Sequence, residues 1–382
     1  MNYQIRILED IGDTKAGEWN ALGVESYPFL RHEFLLALEQ MGCLGERYGW
    51  LPRHITVRDD LGELVAAAPL YLKFNSYGEF VFDWSWADAY RRNGLEYYPK
   101  LVSASPYTPA TGPKLLLRPG APETLWELVE QTAMELAKAS NCSSLHWLFT
   151  PEPETDWLES RGYMRRSGCQ FHWHNRGWRD FDDFLASFSH AKRKNIRRER
   201  RRTREDGISF RWLDGHQAGD ADWADFHQLY ESTFDRKGGI PTLSLAFFRR
   251  IAEAMPDQVL LVQALQADRV VAAAFNLVGE RTLYGRHWGC REHFHSLHFE
   301  ACYYQGLDFC LQRGLQSFEP GAQGEHKISR GFLPTATWSA HWLADERFAR
   351  AVQQFLQHES EGMREYMDEL AGRSPYREVD SP

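Results

Sequence analysis

Two short segments in the first half of this chain recur in the second half at one fixed spacing, and this repeat limits the possible folds more than any other feature. Residues 64–70 (LVAAAPL) match residues 270–275 (VVAAAF), and residues 97–101 (YYPKL) match residues 303–307 (YYQGL), both at an offset of 206. Two matches in a single register indicate tandem copies of one unit. The length of 382 residues also fits two domains.

Strand and helix patterns alternate through both copies, which predicts the α/β (α+β) class with a mixed twisted sheet flanked by helices in each domain. The predicted domains are residues 1–165 and 166–382. The second opens with a basic helix at residues 180–206 and ends in a helix at residues 345–370, whose broken apolar stripe fits either packing on the body or dimerisation. In the first copy, residues 80–84 predict a strand and residues 97–101 a helical stretch.

The stretch from His298 to Leu333 is the strongest candidate for a functional site. It predicts a helix, a short strand at residues 315–318 and a loop rich in glycine and charge, an order that commonly presents a ligand site at a strand end. The loop carries two carboxylates, a histidine and two cations: Glu319, Glu325, His326, Lys327 and Arg330. The corresponding loop of the first copy, residues 103–112, is nearly uncharged. The alternative is an ordinary solvated surface loop.

Amide formation from a thioester or an ester requires a group that takes the proton of the amine, and donors for the oxyanion. Glu319, Glu325 and His326 are candidate proton acceptors, and Glu319 ranks first because it directly follows the strand. Lys327 and Arg330 are candidates for holding an anionic donor or acceptor. Further candidates are His287 as a catalytic group and Tyr284, Arg286, Trp84 and Tyr303 as substrate contacts. The aromatic set around Trp84, from Phe82 to Tyr98, fits core packing better than stacking on a sugar or a base.

The net charge of −9 is distributed unevenly along the chain. Residues 192–206 hold nine Lys/Arg and three Asp/Glu, so the remainder has 35 basic and 50 acidic residues, or −15. Arg193, Arg197 and Arg201 recur at four-residue steps and lie close to one helix face, where guanidinium groups can grip a polyanion. The candidates are the phosphates of coenzyme A, of an RNA or of a nucleotide-linked sugar. The alternative is an exposed helix interleaved with acidic residues.

Two motifs resemble a known family. The run FLASF (184–188), KRKNIRR (192–198) and Gly207-Ile208 is similar to the opening of the second domain in Fem-type transferases. Those proteins are tandem acetyltransferase-like (GNAT-like) proteins, some of which move amino acids from aminoacyl-tRNA onto peptidoglycan precursors. The run FEPGAQGEHKISRGFLP (318–334) resembles a bacterial family labelled peptidoglycan biosynthesis/recognition. The resemblance covers the chain and implies two GNAT-like domains and transfer of an acyl or aminoacyl group to an amine.

The resemblance implies a donor, acyl-CoA or aminoacyl-tRNA, and an amine acceptor that is a small molecule, a peptide or a cell-wall precursor. The glycines of the coenzyme A pyrophosphate loop are missing from residues 289–295, and the chain has no long coiled-coil arm. The alternative function is a non-catalytic recognition module that binds a cell-wall precursor or RNA.

The histidines and cysteines near residue 298, including His293 and Cys302, fit no zinc spacing, so no metal is expected. Six dispersed cysteines predict reduced thiols. Without an apolar run of membrane-spanning length or a secretory leader, the expected location is the cytoplasm.

Overall fold

The computed structural model describes residues 2–292 and 294–377. The strands are β1 Gln4–Leu8, β2 Trp50–Pro52, β3 His54–Arg58, β4 Leu64–Ala68, β5 Tyr71–Lys73, β6 Lys100–Ser103, β7 Leu116–Leu117, β8 Ser144–Thr150, β9 Met164–His174, β10 Ile208–Leu213, β11 Val259–Gln266, β12 Arg269–Val278, β13 Thr282–Cys290, β14 Ser317–Glu319 and β15 Leu333–Leu343. The α-helices are α1 Ala16–Asn20, α2 His32–Gln40, α3 Trp84–Arg92, α4 Thr124–Ala139, α5 Glu152–Ser160, α6 Phe181–Ala186, α7 His190–Glu205, α8 Asp220–Lys237, α9 Leu245–Ala254, α10 Leu297–Phe299, α11 Gln305–Arg313 and α12 Glu346–Ala371.

The chain divides into two compact units. Unit 1 runs to Cys169 and also contains Ala336–Glu365, whereas unit 2 contains Gln170–Thr335 and the segment from Tyr366 onward. This division differs from the predicted domains, which end the first domain at residue 165 and assign residues 336–365 to the second. The later segment belongs to unit 1 because β15 pairs antiparallel with β8, with Ala340 opposite Trp147.

Unit 1 contains one four-stranded antiparallel sheet and a second group of strands. The first sheet has the order β1-β3-β4-β7, and the second group has the order β15-β8-β6-β5-β2, in which β6 and β8 are parallel. Helix α4 packs against β3, β4 and β8. Its apolar stripe at four-residue steps includes Val129 and Ala133. These side chains join the buried core around Leu145 and Trp147.

Two predictions for the first copy are wrong. Residues 80–83 form a loop and Trp84 begins α3. Asp83 is buried against the ammonium group of Lys100, and the segment joins neither sheet. Residues 97–101 are not helical, since Pro99 has no amide hydrogen to donate and β6 begins at Lys100. The matching residues 303–307 lie in a helix, so this part of the repeat is not structurally equivalent. The hairpins β3–β4 and β11–β12 are equivalent, and both are antiparallel.

Unit 2 contains the strand order β10-β11-β12-β13-β14-β9. The strands pair antiparallel except β13 and β14, which are parallel and therefore require a crossover connection. That crossover is α10, a π-helical segment at Glu300–Tyr304 and α11. Helices α8 and α9 pack on the sheet through an aromatic core. In it Phe226 of α8, Phe248 of α9 and Phe275 of β12 contact one another.

The close packing of α8 on β13 generates a test of this arrangement. A Cβ atom at Gly289 would lie 2.0 Å from the backbone carbonyl oxygen of Leu229, whereas a Cβ atom at Gly362 would meet nothing within 4 Å. We expect Gly289→Ala to lower the free energy of unfolding by roughly 1–3 kcal/mol, as overpacked cores do. Gly362→Ala in α12 is the matched control and should raise it by about 0.5–1 kcal/mol. Urea unfolding measures both, and equal stability of the two variants would contradict the packing of α8 on β13.

Candidate active site

A carboxylate lies where the two parallel strands of unit 2 stop pairing. Strand β14 is three residues long, and its last pair joins Glu319 to Tyr284, whereas β13 continues to Cys290. Just beyond that pair, β13 carries an extra residue, Arg286, because His287 and Gly285 oppose consecutive residues of β12. Bulges of this kind redirect a side chain and are frequent beside active sites. The strand end therefore holds Glu319 with a guanidinium group nearby.

Glu319 is a poorly solvated side chain. Its side chain is 14% exposed, and its Oε2 atom has no hydrogen-bond partner among the described residues. The Nε2 atom of His172 lies 4.0 Å from that oxygen. Burial raises the pKa of Glu319 to about 8, although the positive charge of Arg286 opposes the shift. Burial also lowers the pKa of His172 to about 3, so this imidazole is neutral. Glu319 thus keeps its proton up to about pH 8, and once ionised it is a stronger base than a solvated glutamate.

The glycine-rich loop folds back on itself beside this carboxylate. Its 3-10 helix, Glu325–Arg330, follows Gly324, whose φ of 116° suits glycine. The Nζ atom of Lys327 is buried and donates a hydrogen bond to the carbonyl oxygen of Gly321 at 2.6 Å. Burial lowers the pKa of this amine to about 8. The buried ammonium group of Lys327 therefore holds the loop in a fixed shape.

A cluster of rings and imidazoles lies on the helical side of the loop. The ring of His326 is 2.9 Å from the Tyr303 hydroxyl through Nε2, and it contacts the rings of His298 and Phe299. Burial lowers the pKa of His298 to about 4, with further lowering from the charges of His326, Lys237, Lys327 and Arg330. Burial also lowers the pKa of His326. Near neutral pH the charge of this cluster comes from its lysine and arginine side chains.

The basic helix α7 has a paired side and an open side. On the paired side Glu199 forms an ion pair with Arg330 at 2.7 Å, and the Arg330 guanidinium lies 3.4 Å from the centre of the Phe299 ring. Arg200 pairs with Asp308 at 2.5 Å and with Glu300 at 3.1 Å. On the open side, six basic side chains line a groove of about 480 Å³: His190, Arg193, Lys194, Arg197, Arg198 and Arg201.

Unit 2 brings most of the predicted site residues together. Glu319, Tyr284 and Arg286 share the strand end, while His326, Lys327, Arg330 and Tyr303 form the adjoining loop and ring cluster. Arg193, Arg197 and Arg201 line the groove on α7. Arg330 is committed to Glu199 and to the carbonyl oxygen of His326, so it fixes the loop to the helix.

Three predicted residues lie elsewhere. Glu325 is exposed and bonds Tyr366 and Arg373 at 2.9 and 3.0 Å. His287 contacts the rings of Tyr230, Phe248 and Phe275 in the aromatic core, and burial lowers its pKa to about 3. Trp84 belongs to unit 1, where its exposed ring contacts Tyr77.

Sequence reasoning missed two residues of the site. His172 lies on β9 and faces Glu319, and the alternation of FHWH in residues 171–174 was its only signal. Glu199 supplies the counter-charge for Arg330. A lone acidic residue at the centre of a basic helix, three residues after Ile196, the one apolar position, is the signal that would have identified it.

Other features of the described residues bear on the class of site. Residues 2–292 and 294–377 contain no group of three or more His, Cys, Asp or Glu side chains placed to hold a metal ion, and His293 lies outside them. The six cysteines form no disulfide. Within the same ranges, every helix is too short or too polar to cross a lipid bilayer.

The sheets and helices of the two units define a mixed α/β protein. A model of the FemAB-like family, described as peptidoglycan biosynthesis/recognition, matches residues 10–378. The chain belongs to that family. The predicted Fem-type, GNAT-like family and the predicted fold class are thereby confirmed. No curated protein matches the sequence.

Solved structures share the fold at low sequence identity. FemX has a TM-score of 0.56 at 12% identity, covering 92% of this chain and 100% of that chain. A C-terminal domain assigned to a lysylphosphatidylglycerol synthetase from Agrobacterium fabrum has a TM-score of 0.54 at 9% identity, covering 89% and 97%. L-PGS from Bacillus licheniformis has a TM-score of 0.50 at 10% identity, covering 80% and 89%.

The raised pKa of Glu319 predicts a dependence of stability on pH. Because its pKa in the folded protein is about 8 rather than the ordinary 4.5, the native state holds an extra proton between these values, and stability falls as pH rises through that window. Glu319→Gln removes the titration, so the variant should be similar to the natural protein at pH 5 and more stable at pH 9, by up to roughly 4 kcal/mol.

Urea unfolding at the two pH values measures this difference. Glu325→Gln is the matched control, since Glu325 is exposed, and its stability should follow that of the natural protein at both values. A Glu319→Gln variant that is equally or less stable than the natural protein at pH 9 would contradict the assigned environment.

Proposed function

We propose that this protein transfers an acyl or aminoacyl group from an activated donor to an amine and so forms an amide. Glu319 is the general base in this proposal. The observation that carries the proposal is a largely buried carboxyl group with a pKa of about 8 at the end of a parallel strand pair. One of its oxygens has no hydrogen-bond partner within residues 2–292 and 294–377. A base with a pKa near the working pH is the most effective proton acceptor for an attacking amine.

The reaction requires four events at this site. The amine nitrogen attacks the carbonyl carbon of the donor ester or thioester, and its proton passes to the ionised Glu319. The bond to the donor oxygen or sulfur then breaks as the tetrahedral intermediate collapses, and Glu319 returns the proton to that leaving atom, which departs as an alcohol or a thiol. Negative charge develops on the carbonyl oxygen during the attack, and fixed positive groups stabilise it. Arg286 and Lys327 are the nearby cations, and both act on titratable groups of this site.

The groove on α7 supports a donor that carries several phosphates. On the inner side of the helix Glu199 pairs with Arg330 and Arg200 pairs with Asp308. The six basic side chains of the groove lie on the other side. A row of guanidinium groups suits a nucleic-acid backbone or the phosphates of coenzyme A. The missing pyrophosphate-loop glycines in residues 289–295 favour aminoacyl-tRNA between these two donors.

The similar structures support the aminoacyl branch. FemX, and a domain assigned to a lysylphosphatidylglycerol synthetase, share this fold, and the family is described by peptidoglycan biosynthesis/recognition. In this proposal the acceptor is an amino group of a cell-wall precursor.

Replacement of Glu319 tests the catalytic role. We expect Glu319→Gln to lower kcat by about 10²–10⁴-fold, the usual contribution of a general base, while the affinity for the donor stays the same. Single-turnover transfer of a radiolabelled amino acid from charged tRNA to a muropeptide acceptor measures the rate. Glu325→Gln, which changes an exposed carboxylate of the same loop, is the control and should retain full turnover.

Ligand-induced thermal stabilisation of the same variants separates catalysis from recognition. Under the proposal the natural protein and Glu319→Gln are stabilised equally by the true donor, because stabilisation depends only on concentration and affinity. Binding without turnover in the natural protein would instead favour the non-catalytic recognition module. Full turnover in Glu319→Gln would rule out this carboxylate as the base.

The groove on α7 predicts a salt-dependent contact with the donor. We expect Arg197→Ala combined with Arg201→Ala to weaken binding of tRNA and to reduce the slope of log affinity against log salt by about 1–2, because each lost phosphate contact removes released counterions. Arg250→Ala combined with Arg269→Ala removes the same charge from exposed sites elsewhere and should leave the slope closer to that of the natural protein. Identical slopes for both pairs would contradict the groove as the phosphate site.

A further inference from the structure

Residues 74–84 of unit 1, a loop together with the first residue of α3, turn their apolar side chains outward and are called the aromatic loop. It holds five of the ten large hydrophobic side chains that are exposed among the described residues: Phe74, Tyr77, Phe80, Phe82 and Trp84. Their exposed fractions lie between 39% for Trp84 and 67% for Tyr77. Eleven consecutive residues therefore account for half of this exposed apolar material, whereas scattered single residues are the ordinary case.

The charged groups of the aromatic loop point the other way. Glu79 and Asp83 are 3% exposed, and both bind the buried ammonium group of Lys100, at 2.7 and 2.5 Å. Ser76 accepts a third hydrogen bond from the same ammonium group at 2.8 Å. A loop selected for stability alone would bury its phenylalanines and expose its carboxylates, since burying charge costs free energy even when it is paired.

The fixed shape of the aromatic loop shows that its outward face is preformed. A second buried lysine, Lys73, donates to the carbonyl oxygen of Tyr77 at 3.1 Å and to Asn75 at 3.3 Å. The rings of Tyr77 and Trp84 contact each other with centroids 4.9 Å apart. Because the two lysines already order the backbone, binding of a partner to this face does not incur the entropic cost of ordering the loop.

The chemistry of the outward face selects among partners. Sugar and base recognition combines aromatic rings with polar groups that read the ligand, but the loop's two carboxylates and Ser76 are already engaged with Lys100. The outward side chains are phenylalanine, tyrosine and tryptophan, the set that is enriched at the boundary between lipid headgroups and acyl chains. With its carboxylates withdrawn, the loop also presents no negative charge to an anionic headgroup.

We propose that the aromatic loop inserts into the surface of a lipid bilayer and docks unit 1 there. The contact is apolar, so it differs from the electrostatic attraction that the basic groove on α7 can exert on anionic lipid. Salt screens exposed charges but does not weaken burial of phenylalanine and tryptophan. The proposal is independent of the transferase activity, because it requires no turnover.

Flotation with vesicles of phosphatidylethanolamine and phosphatidylglycerol tests the proposal, at low and at high salt. We expect the natural protein to float with the vesicles under both conditions. Phe80→Asn combined with Phe82→Asn should reduce the bound fraction by about tenfold or more, since two large apolar side chains no longer enter the bilayer. Asparagine suits residue 80, where φ is 61°, so the variant should fold, and thermal unfolding checks this.

Leu61→Asn combined with Ile240→Asn is the matched control, because these exposed residues lie outside the loop, and it should float like the natural protein. Any of three results would overturn the proposal: the natural protein fails to float, the loop variant floats as well as the control, or binding of every protein to the vesicles is lost at high salt. A loop variant that changes the oligomeric state by light scattering, without a change in flotation, would assign the aromatic loop to a second copy of the chain instead.

Discussion

The parallel pairing of β13 with β14 ends at Glu319, and the chemistry of the site follows from that position. The three-residue strand β14 ends with Glu319, while β13 continues past this point with the extra residue Arg286. The sheet fixes the backbone at this position, and the Glu319 side chain is only 14% exposed there. The resulting desolvation raises the pKa of Glu319 to about 8, and the nearby guanidinium only partly offsets it. A short strand therefore produces a base suited to near-neutral pH.

The surrounding loop and the crossover helix are held by three ion pairs made by the basic helix. Glu199 binds Arg330, and Arg200 binds Asp308 and Glu300. These contacts use the inner charges of α7 to hold the loop and the crossover helix, whereas Arg193, Arg197, Arg198 and Arg201 line the groove. Removing one partner of such a pair would leave a desolvated charge behind, which costs more than the pair itself contributes. One helix thus combines a structural side with a candidate phosphate-binding side.

The sequence allowed the fold class and most of the candidate site to be predicted, because these depend on local patterns. Hydrophobic periodicity located α12, and the rule that functional loops follow strand ends selected Glu319 as a candidate. Other features depend on long-range partners. Lys100 lies 17 residues after Asp83, and nothing in residues 80–84 shows that their acid is buried while their rings are exposed. His287 alternates like its neighbours in β13, and only the packing of α8 and α9 places it among aromatic rings. The match between residues 97–101 and 303–307 was misleading because Pro99 excludes a helix in one copy only.

The account depends most directly on the proton affinity of Glu319. Carbon-13 NMR of the protein labelled at glutamate Cδ, titrated from pH 4 to pH 10 and compared with Glu319→Gln to assign the resonance, measures that affinity without a substrate. The predicted result is one carboxyl resonance, absent from the variant, that titrates near pH 8. A Glu319 resonance that titrates near 4.5, as a solvated glutamate does, would contradict the desolvated base and with it the proposed mechanism.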